Sequence, residues 1–251
     1  MAQHVKRSAR KRKTYFFSDA HLGLGSKEDD RKKERRIIEF LEAVKKDGEQ
    51  LFIVGDLFDY WFEYKTVVPK GYFRLFTKLA ELTERGIKIS YLVGNHDFWI
   101  KRYFHDELGI EIAFEPFERT IHGKRFLIHH GDGLVKNDMG YRILKKILRS
   151  KINIFLFSLV HTDITGRLAQ WSSRTSRKHT SNRAFEVNDL IEFARNKIQA
   201  EGIDVVIMGH NHRSHFEKFQ RGIYINLGDW IHENAFAVFD GKNITLKHWH
   251  S

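Results

Sequence analysis

The chain has 251 residues, no cysteine, two prolines and a formal charge of +11. This length can bury a full core as one domain, or as one domain carrying an insertion, and the missing thiols exclude disulfides, zinc-thiolate sites and cysteine nucleophiles. The longest apolar run, Ile152 to Phe157 with Leu159 and Val160 just beyond, is far short of the roughly 20 residues of a membrane-spanning helix. With no signal-peptide pattern at the start, the expectation is a cytoplasmic protein, soluble or peripheral, whose basic balance favours anionic partners.

A basic tail over residues 1–13 comes first, with Lys6, Arg7, Arg10, Lys11, Arg12 and Lys13. It reads as a solvated end or as an electrostatic contact with an anionic leaflet. A strand over Thr14–Ser18 leads to Asp19-Ala20-His21. Ser26 and the acids after it open a helix with Ile37, Ile38, Leu41 and Val44 on one face. The run Leu51-Phe52-Ile53-Val54-Gly55-Asp56 reads as a buried strand delivering a carboxylate at its C-terminal end, which is where open α/β sheets place their chemistry. An aromatic loop over Phe58–Tyr64, a helix over Phe73–Glu84, a strand over Lys88–Val93 and a short helix from Trp99 to Leu108 complete a β-α-β-α-β-α series. That series predicts a parallel sheet with right-handed crossovers.

The second half reads differently. Strands at Arg119–Ile121 and Lys124–His129 flank a His122-Gly123 turn, residues 134–200 carry helical patterning, and strands resume at Ile203–Met208, Phe216–Phe219, Ile223–Asn226, Ala235–Phe239 and Ile244–His248. The expectation is a largely antiparallel second sheet, with a helical insertion at 134–200 inside a domain spanning 14–251.

Five apolar strands end in potential metal ligands: Asp19-Ala20-His21, Gly55-Asp56, Gly94-Asn95-His96-Asp97, His129-His130-Gly131-Asp132 and Gly209-His210-Asn211-His212. In extended backbone, residues i and i+2 share a face, so Asp19 with His21, and His210 with His212, can each aim at one point. Imidazole with carboxylate suits Mn, Fe, Zn or Ni, and Asp56 could bridge two ions. Such a pair would clamp a phosphate and support in-line displacement. Alternation separates His129 from His130, so only one can serve as a ligand. Asp59 and Glu63 read as loop or cap carboxylates, and Asp132 as a turn residue.

These blocks, in this order, resemble the calcineurin-like metallophosphoesterases. The resemblance implies a four-layer α/β/β/α sandwich with two divalent ions, most often Mn. One ion would be held by Asp19, His21, Asp56 and His212, and the other by Asp56, Asn95, His130 and His210. His96 would touch the phosphate or protonate the leaving group, with Asp97 orienting it.

Within that family the chain is similar to the UDP-2,3-diacylglucosamine pyrophosphohydrolases of lipid A biosynthesis, through Gly55-Asp56-Leu57-Phe58-Asp59-Tyr60-Trp61, Gly94-Asn95-His96-Asp97-Phe98-Trp99 and the insertion after His130-Gly131-Asp132. The resemblance implies a lipid-linked nucleotide substrate, a helical lid for its acyl chains and a peripheral place at the inner membrane, with nucleic acid not the expected partner. In the lid, Trp171, Arg174, Arg177 and Lys178 would meet pyrophosphate and sugar oxygens. The chain departs from the better-known members of this group, which carry arginine where it has His96. The alternatives are a phosphoesterase acting on another nucleotide, a phosphoprotein or DNA, or a metal-free scaffold on the same fold.

Overall fold

In a computed structural model, which describes residues 12–134, 139–162, 164 and 183–250, side-chain alternation along the strands sorts the chain into layers. In β1 (Lys13–Phe17), Tyr15 and Phe17 face one way and Phe16 the other. The outward pair joins a core with Leu51 and Ile53 of β2 (Gly48–Val54), Ile89 and Tyr91 of β3 (Lys88–Leu92), and the apolar faces of three helices. These are α1 (Lys27–Asp47), α2 (Phe73–Glu84) and α3 (Tyr103–Leu108). Phe16 turns inward and stacks on Phe52 at 5.0 Å and on Phe126 of the second sheet at 5.6 Å, centroid to centroid.

The first sheet runs β11-β10-β1-β2-β3-β4, with β4 at Glu111–Ala113, β10 at Ala235–Phe239 and β11 at Ile244–His248. From β1 to β4 every pairing is parallel, as the β-α-β series requires. The second sheet runs β5-β6-β7-β9-β8, with β5 at Phe117–Ile121, β6 at Lys124–Ile128, β7 at Val205–Met208, β8 at Ser214–Lys218 and β9 at Ile223–Leu227. His122 (φ 47°) and Gly123 (φ 80°) turn β5 into β6 with the two positive φ values of a tight hairpin.

Three expectations are corrected. The second sheet is mixed rather than largely antiparallel, because β6, β7 and β9 are parallel neighbours. Strands β10 and β11 leave it altogether, β10 pairing antiparallel with β1 at the edge of the first sheet. Helix α3 starts at Tyr103 rather than Trp99, since Trp99 bridges to Phe62 and the Glu63 carboxylate accepts the N–H groups of Lys101, Arg102 and Tyr103, capping the helix there.

The segment expected as one insertion divides in two. Helices α4 (Met139–Leu148) and α5 (Lys151–Ser158) lie at the mouth of the fold, where Phe157 packs on Phe62 and Trp99. Helix α6 (Arg183–Glu201) instead lays Leu190, Ala194 and Ile198 on Leu127, Val206 and Met208 of the second sheet. It is the crossover between parallel β6 and β7 and forms the fourth layer of an α/β/β/α sandwich. Among the described residues, no helix is long and apolar enough to cross a membrane.

Candidate metal centre

Strands β1, β2, β3, β6 and β7 all point their C-terminal ends at one place, and the five ligand blocks meet there. Asp19, His21 and His212 form one group, and Asp56, His130 and His210 a second. Asp56 Oδ2 lies 3.2 Å from His130 Nε2 and 3.7 Å from His21 Nε2, so one carboxylate faces both groups. Asn95 Oδ1 is 3.1 Å from His130 Nε2.

The convergence does not come from extended alternation. Asp19 (φ 52°), His21 (φ 43°), Asp56 (φ 53°), His210 (φ 75°) and His212 (φ 58°) all adopt left-handed backbone, a conformation costing about 1–3 kcal/mol at each non-glycine residue. These five are among only eight such non-glycine residues described, so the strain is concentrated at the site. Backbone bonds hold it: Asp19 N–H donates to Gly55 O (3.1 Å), His21 N–H to Asp56 O (2.9 Å) and Trp230 N–H to Asp19 O (3.1 Å). The buried Lys33 ammonium donates to His21 O at 2.6 Å.

The donors suit a divalent cation. Asp19 Oδ1 is buried without a hydrogen-bond partner, lying 3.7 Å from His21 Nε2 and 3.5 Å from His212 Nε2. The His21 and His212 Nε2 atoms themselves are 3.1 Å apart. Ligand atoms held at about 2.0–2.2 Å from one ion, at angles between square and tetrahedral, stand about 3.0–3.5 Å apart, so the residues fit the group the ligand pattern implies.

Each of three imidazoles faces an acceptor through its other nitrogen, the arrangement common to metal-binding histidines. His130 Nδ1 donates to Val54 O at 2.8 Å, His21 Nδ1 lies 3.4 Å from Asp59 Oδ1, and His212 Nδ1 lies 3.6 Å from Asp229 Oδ2. Burial would lower the pKa of His130 and His21, but Asp56 outweighs it at His130, raising it to about 10, and Asp19 and Asp59 do so at His21, raising it to about 9. Burial opposes ionisation of Asp56 as well, yet the His130 and His96 charges hold its carboxyl well below the usual range.

His96 lies beside the first group, its ring edge-on to His21 at 4.7 Å, and its backbone N–H donates to Asp56 Oδ1 at 2.8 Å. Its Nδ1 lies 3.1 Å from Asp59 O. Asp97, expected to orient His96, sits beneath the loops that carry the ligands. Its fully buried carboxylate accepts Leu57 N–H (2.8 Å), Gly94 N–H (2.7 Å) and the Tyr91 hydroxyl, tying two ligand loops together. Burial, then the Asp56 charge, raises Asp97 to about 6. His129 faces away from the cluster, against Phe193, and its Nδ1 accepts Gly131 N–H; burial lowers it to about 4. Asp132 pairs with Lys145 at 2.6 Å. Trp171, Arg174, Arg177 and Lys178 lie outside the described residues.

Sequence reasoning missed Asp229 and Lys33 and discounted Asp59. Asp229 was legible, since Leu227-Gly228-Asp229 repeats the strand, glycine, carboxylate order of Val54-Gly55-Asp56. Lys33 carried no signal beyond a place on a charged helix.

A model of the calcineurin-like phosphoesterases matches residues 12–214. The chain belongs to this family. It is therefore a metallophosphoesterase, a hydrolase whose family implies divalent metal ions. A UDP-2,3-diacylglucosamine hydrolase of Porphyromonas gingivalis is 34% identical, the match covering 94% of this chain and 97% of that one. A protein of the same name from Nitrosococcus oceani is 31% identical, with 86% and 87% covered. Among solved structures, an archaeal phosphodiesterase superposes with a TM-score of 0.48 at 15% identity, covering 94% of this chain and 99% of its own.

Proposed function

We propose that this metallophosphoesterase hydrolyses the pyrophosphate bond of UDP-2,3-diacylglucosamine. Water adds to the α-phosphorus, and UMP and 2,3-diacylglucosamine 1-phosphate separate. The names of the relatives support the substrate. The observation in the molecule that carries it is the apolar surface beside the metal centre. On α4, α5 and the turn after α5, Ile147, Ile152, Phe155, Leu156 and Leu159 are at least half exposed, a clustering of large exposed apolar side chains of the kind that marks a ligand or membrane contact. Next to it, Phe98, Trp99, Phe114 and Ile154 line a cavity of about 510 Å³, a size suited to part of a lipid.

Asp19, His21, Asp56 and His212 would hold one ion and Asp56, Asn95, His130 and His210 the other, Mn being the first metal to test. When bound, two such ions supply Lewis acidity at phosphoryl oxygens and make ionised water accessible at neutral pH. The chain's own part is orientation. The backbone and carboxylate partners at Nδ1 of His130, His21 and His212 turn the Nε2 of each ring toward the cluster, and His96, held at Nδ1, would offer Nε2 to a phosphoryl or leaving-group oxygen. Trp171, Arg174, Arg177 and Lys178 would bind the pyrophosphate and sugar. The enzyme would work in the cytoplasm, held to the anionic face of the inner membrane by basic residues and lid.

The test is mass spectrometry of products from Mn-loaded protein and UDP-2,3-diacylglucosamine in ¹⁸O-water, with Asp56→Ala as blank. Label in UMP, with unlabelled lipid monophosphate, is the expected result. Cleavage of bis(p-nitrophenyl) phosphate without any turnover of the lipid would discard this substrate.

A further inference from the structure

The order of the first sheet gives the metal centre two sides. Asp56 ends β2, and the loops after β3 and β4 lie to one side of it, carrying Phe98, Trp99 and Phe114 of the apolar cavity. The loop after β1 lies to the other side. There a second cavity, of about 630 Å³, runs between that loop, the N-terminal half of α1 and Ile231, a volume inside the range of about 300–1,000 Å³ of small-molecule sites. Its walls adjoin the backbone of the first ligand group. Leu24 and Gly25, just past His21, form one rim, and the buried Lys33, which lines the groove, donates to His21 O at 2.6 Å. Trp230, the residue before Ile231, donates its N–H to Asp19 O at 3.1 Å.

The lining is polar where the other cavity is apolar. Lys33, Arg35 and Arg36 line it together with Asp29 and Glu39. Lys32 pairs with Glu28 at 2.7 Å, as surface lysines do. Among the described residues, however, neither Arg35 nor Arg36 has an ion-pair partner, and Arg36 Nε is buried with no hydrogen bond. A buried donor left unpaired is a standing cost that an acceptor on a ligand removes.

We propose that this groove holds the uridine half of the substrate. Arg35 and Arg36 donate to the carbonyl oxygens of the base, Asp29 and Glu39 accept the ribose hydroxyls, and Leu24 and Ile231 cover the ring. The bond that breaks joins two unlike halves, and the two cavities match them: the acylated sugar on the side of β3 and β4, the nucleoside on the side of β1, and the pyrophosphate between. An anionic lipid headgroup is the other occupant that the cations would attract, but the two carboxylates disfavour it and suit a diol.

The inference deepens the proposed function and takes its orientation from that substrate, while nucleotide recognition is read without lipid turnover. On Mn-loaded protein, UMP and inorganic phosphate are titrated as inhibitors of bis(p-nitrophenyl) phosphate hydrolysis, and KM and kcat are measured for UDP-2,3-diacylglucosamine. In Arg36→Ala, the UMP inhibition constant and the lipid KM should each rise about tenfold, with kcat and phosphate inhibition kept within about threefold. Glu39→Gln, at an exposed position, should raise the same two constants about threefold and tests the ribose contact whatever Arg36→Ala does to folding. Lys242→Ala, in the turn between β10 and β11 at the far edge of the sheet, removes an equal charge and should shift neither constant.

A UMP constant unchanged in both groove variants would overturn the inference. Equal rises for UMP and inorganic phosphate would also overturn it, by placing the effect at the ions and not at the nucleoside. So would an equal shift in Lys242→Ala, which would reduce the effect to overall charge. Loss of binding to phosphatidylglycerol vesicles in Arg36→Ala, with UMP inhibition kept, would overturn it in favour of a lipid headgroup. Wild-type protein that leaves the lipid intact would refute the proposed substrate instead; UMP inhibition that still weakens in Arg36→Ala would then keep the nucleotide groove.

Discussion

Gly94→Ala tests whether the close approach of the strand ends, and not ligand identity alone, sets the geometry of the centre. A Cβ at Gly94 would overlap Asp56 Oδ1 and lie 2.6 Å from the Asp56 backbone nitrogen and 2.7 Å from its Cγ. Since nonbonded carbons settle at about 3.5–4.0 Å, the Asp56 carboxylate must retreat by about 1 Å. It has no slack, because Oδ1 accepts His96 N–H at 2.8 Å and Oδ2 lies 3.2 Å from His130 Nε2. Overpacking should cost about 1–3 kcal/mol of stability, and a displacement of this size about 100-fold in turnover. Gly94 does not need left-handed backbone, so the loss belongs to the contact. Gly140→Ala, which meets nothing within 4 Å, is the control. The assay is turnover of bis(p-nitrophenyl) phosphate at saturating Mn, with metal content and melting temperature measured on the same samples. Gly94→Ala protein that binds two Mn and turns over within threefold of wild type would refute the reasoning.

Metal and proton should compete for the same nitrogens. With His21 raised to about 9 and His130 to about 10, both are protonated at neutral pH without metal. Their ion pairs therefore stabilise the metal-free fold fully below about pH 6.5, and that contribution fades as pH rises through 9 to 10. Each of the two ions must expel one of these protons, so the apparent Mn affinity of each site should rise about tenfold per pH unit between pH 7 and 8.5; a pH-independent affinity in calorimetry would contradict this. Glu63→Ala removes the acceptor of three N–H groups at the start of α3 and should cost about 1–2 kcal/mol in a denaturant melt, with Mn stoichiometry unchanged. Phe157→Ala, which removes the ring that α5 packs on Phe62 and Trp99, should raise KM for the lipid substrate several-fold and leave bis(p-nitrophenyl) phosphate hydrolysis as it was.

In the first sheet β1, β2 and β3 were legible because they and their crossover helices are local and periodic: Phe16, Phe52 and Leu92 turn to one side while Tyr15, Ile53 and Tyr91 turn to the other. The short strand β4, the placement of β10 and β11 and the order of the second sheet were not, because those pairings are remote. Nothing local to Ala235–Phe239 says that it will lie beside β1, more than two hundred residues away, rather than beside β9. Helix α6 was recognised as a helix, but its role as a crossover depends on β6 and β7 being parallel neighbours, which their own sequences do not encode.

At the site, the residue types were legible and their geometry was not. Asp19, His21, Asp56, His210 and His212 meet because left-handed turns aim them, and those turns survive because the sandwich beneath them leaves no alternative path. Gly55 and Gly209 show the same constraint as Gly94: a Cβ at Gly55 would come within 2.7 Å of His130 Cγ, and one at Gly209 within 2.6 Å of Ser18 Oγ while overlapping the Asp19 carboxylate. In each case the glycine that precedes one ligand makes room for another ligand from a different strand. The Gly-Asp, Gly-Asn and Gly-His pairs in the sequence are therefore the two halves of an interlock: the second residue faces the centre, and the first lets the neighbouring ligand approach. It follows that grafting the seven proposed ligands onto another sandwich without Gly55, Gly94 and Gly209 should not assemble the centre, because the carboxylates of Asp19 and Asp56 would be displaced before any ion arrived.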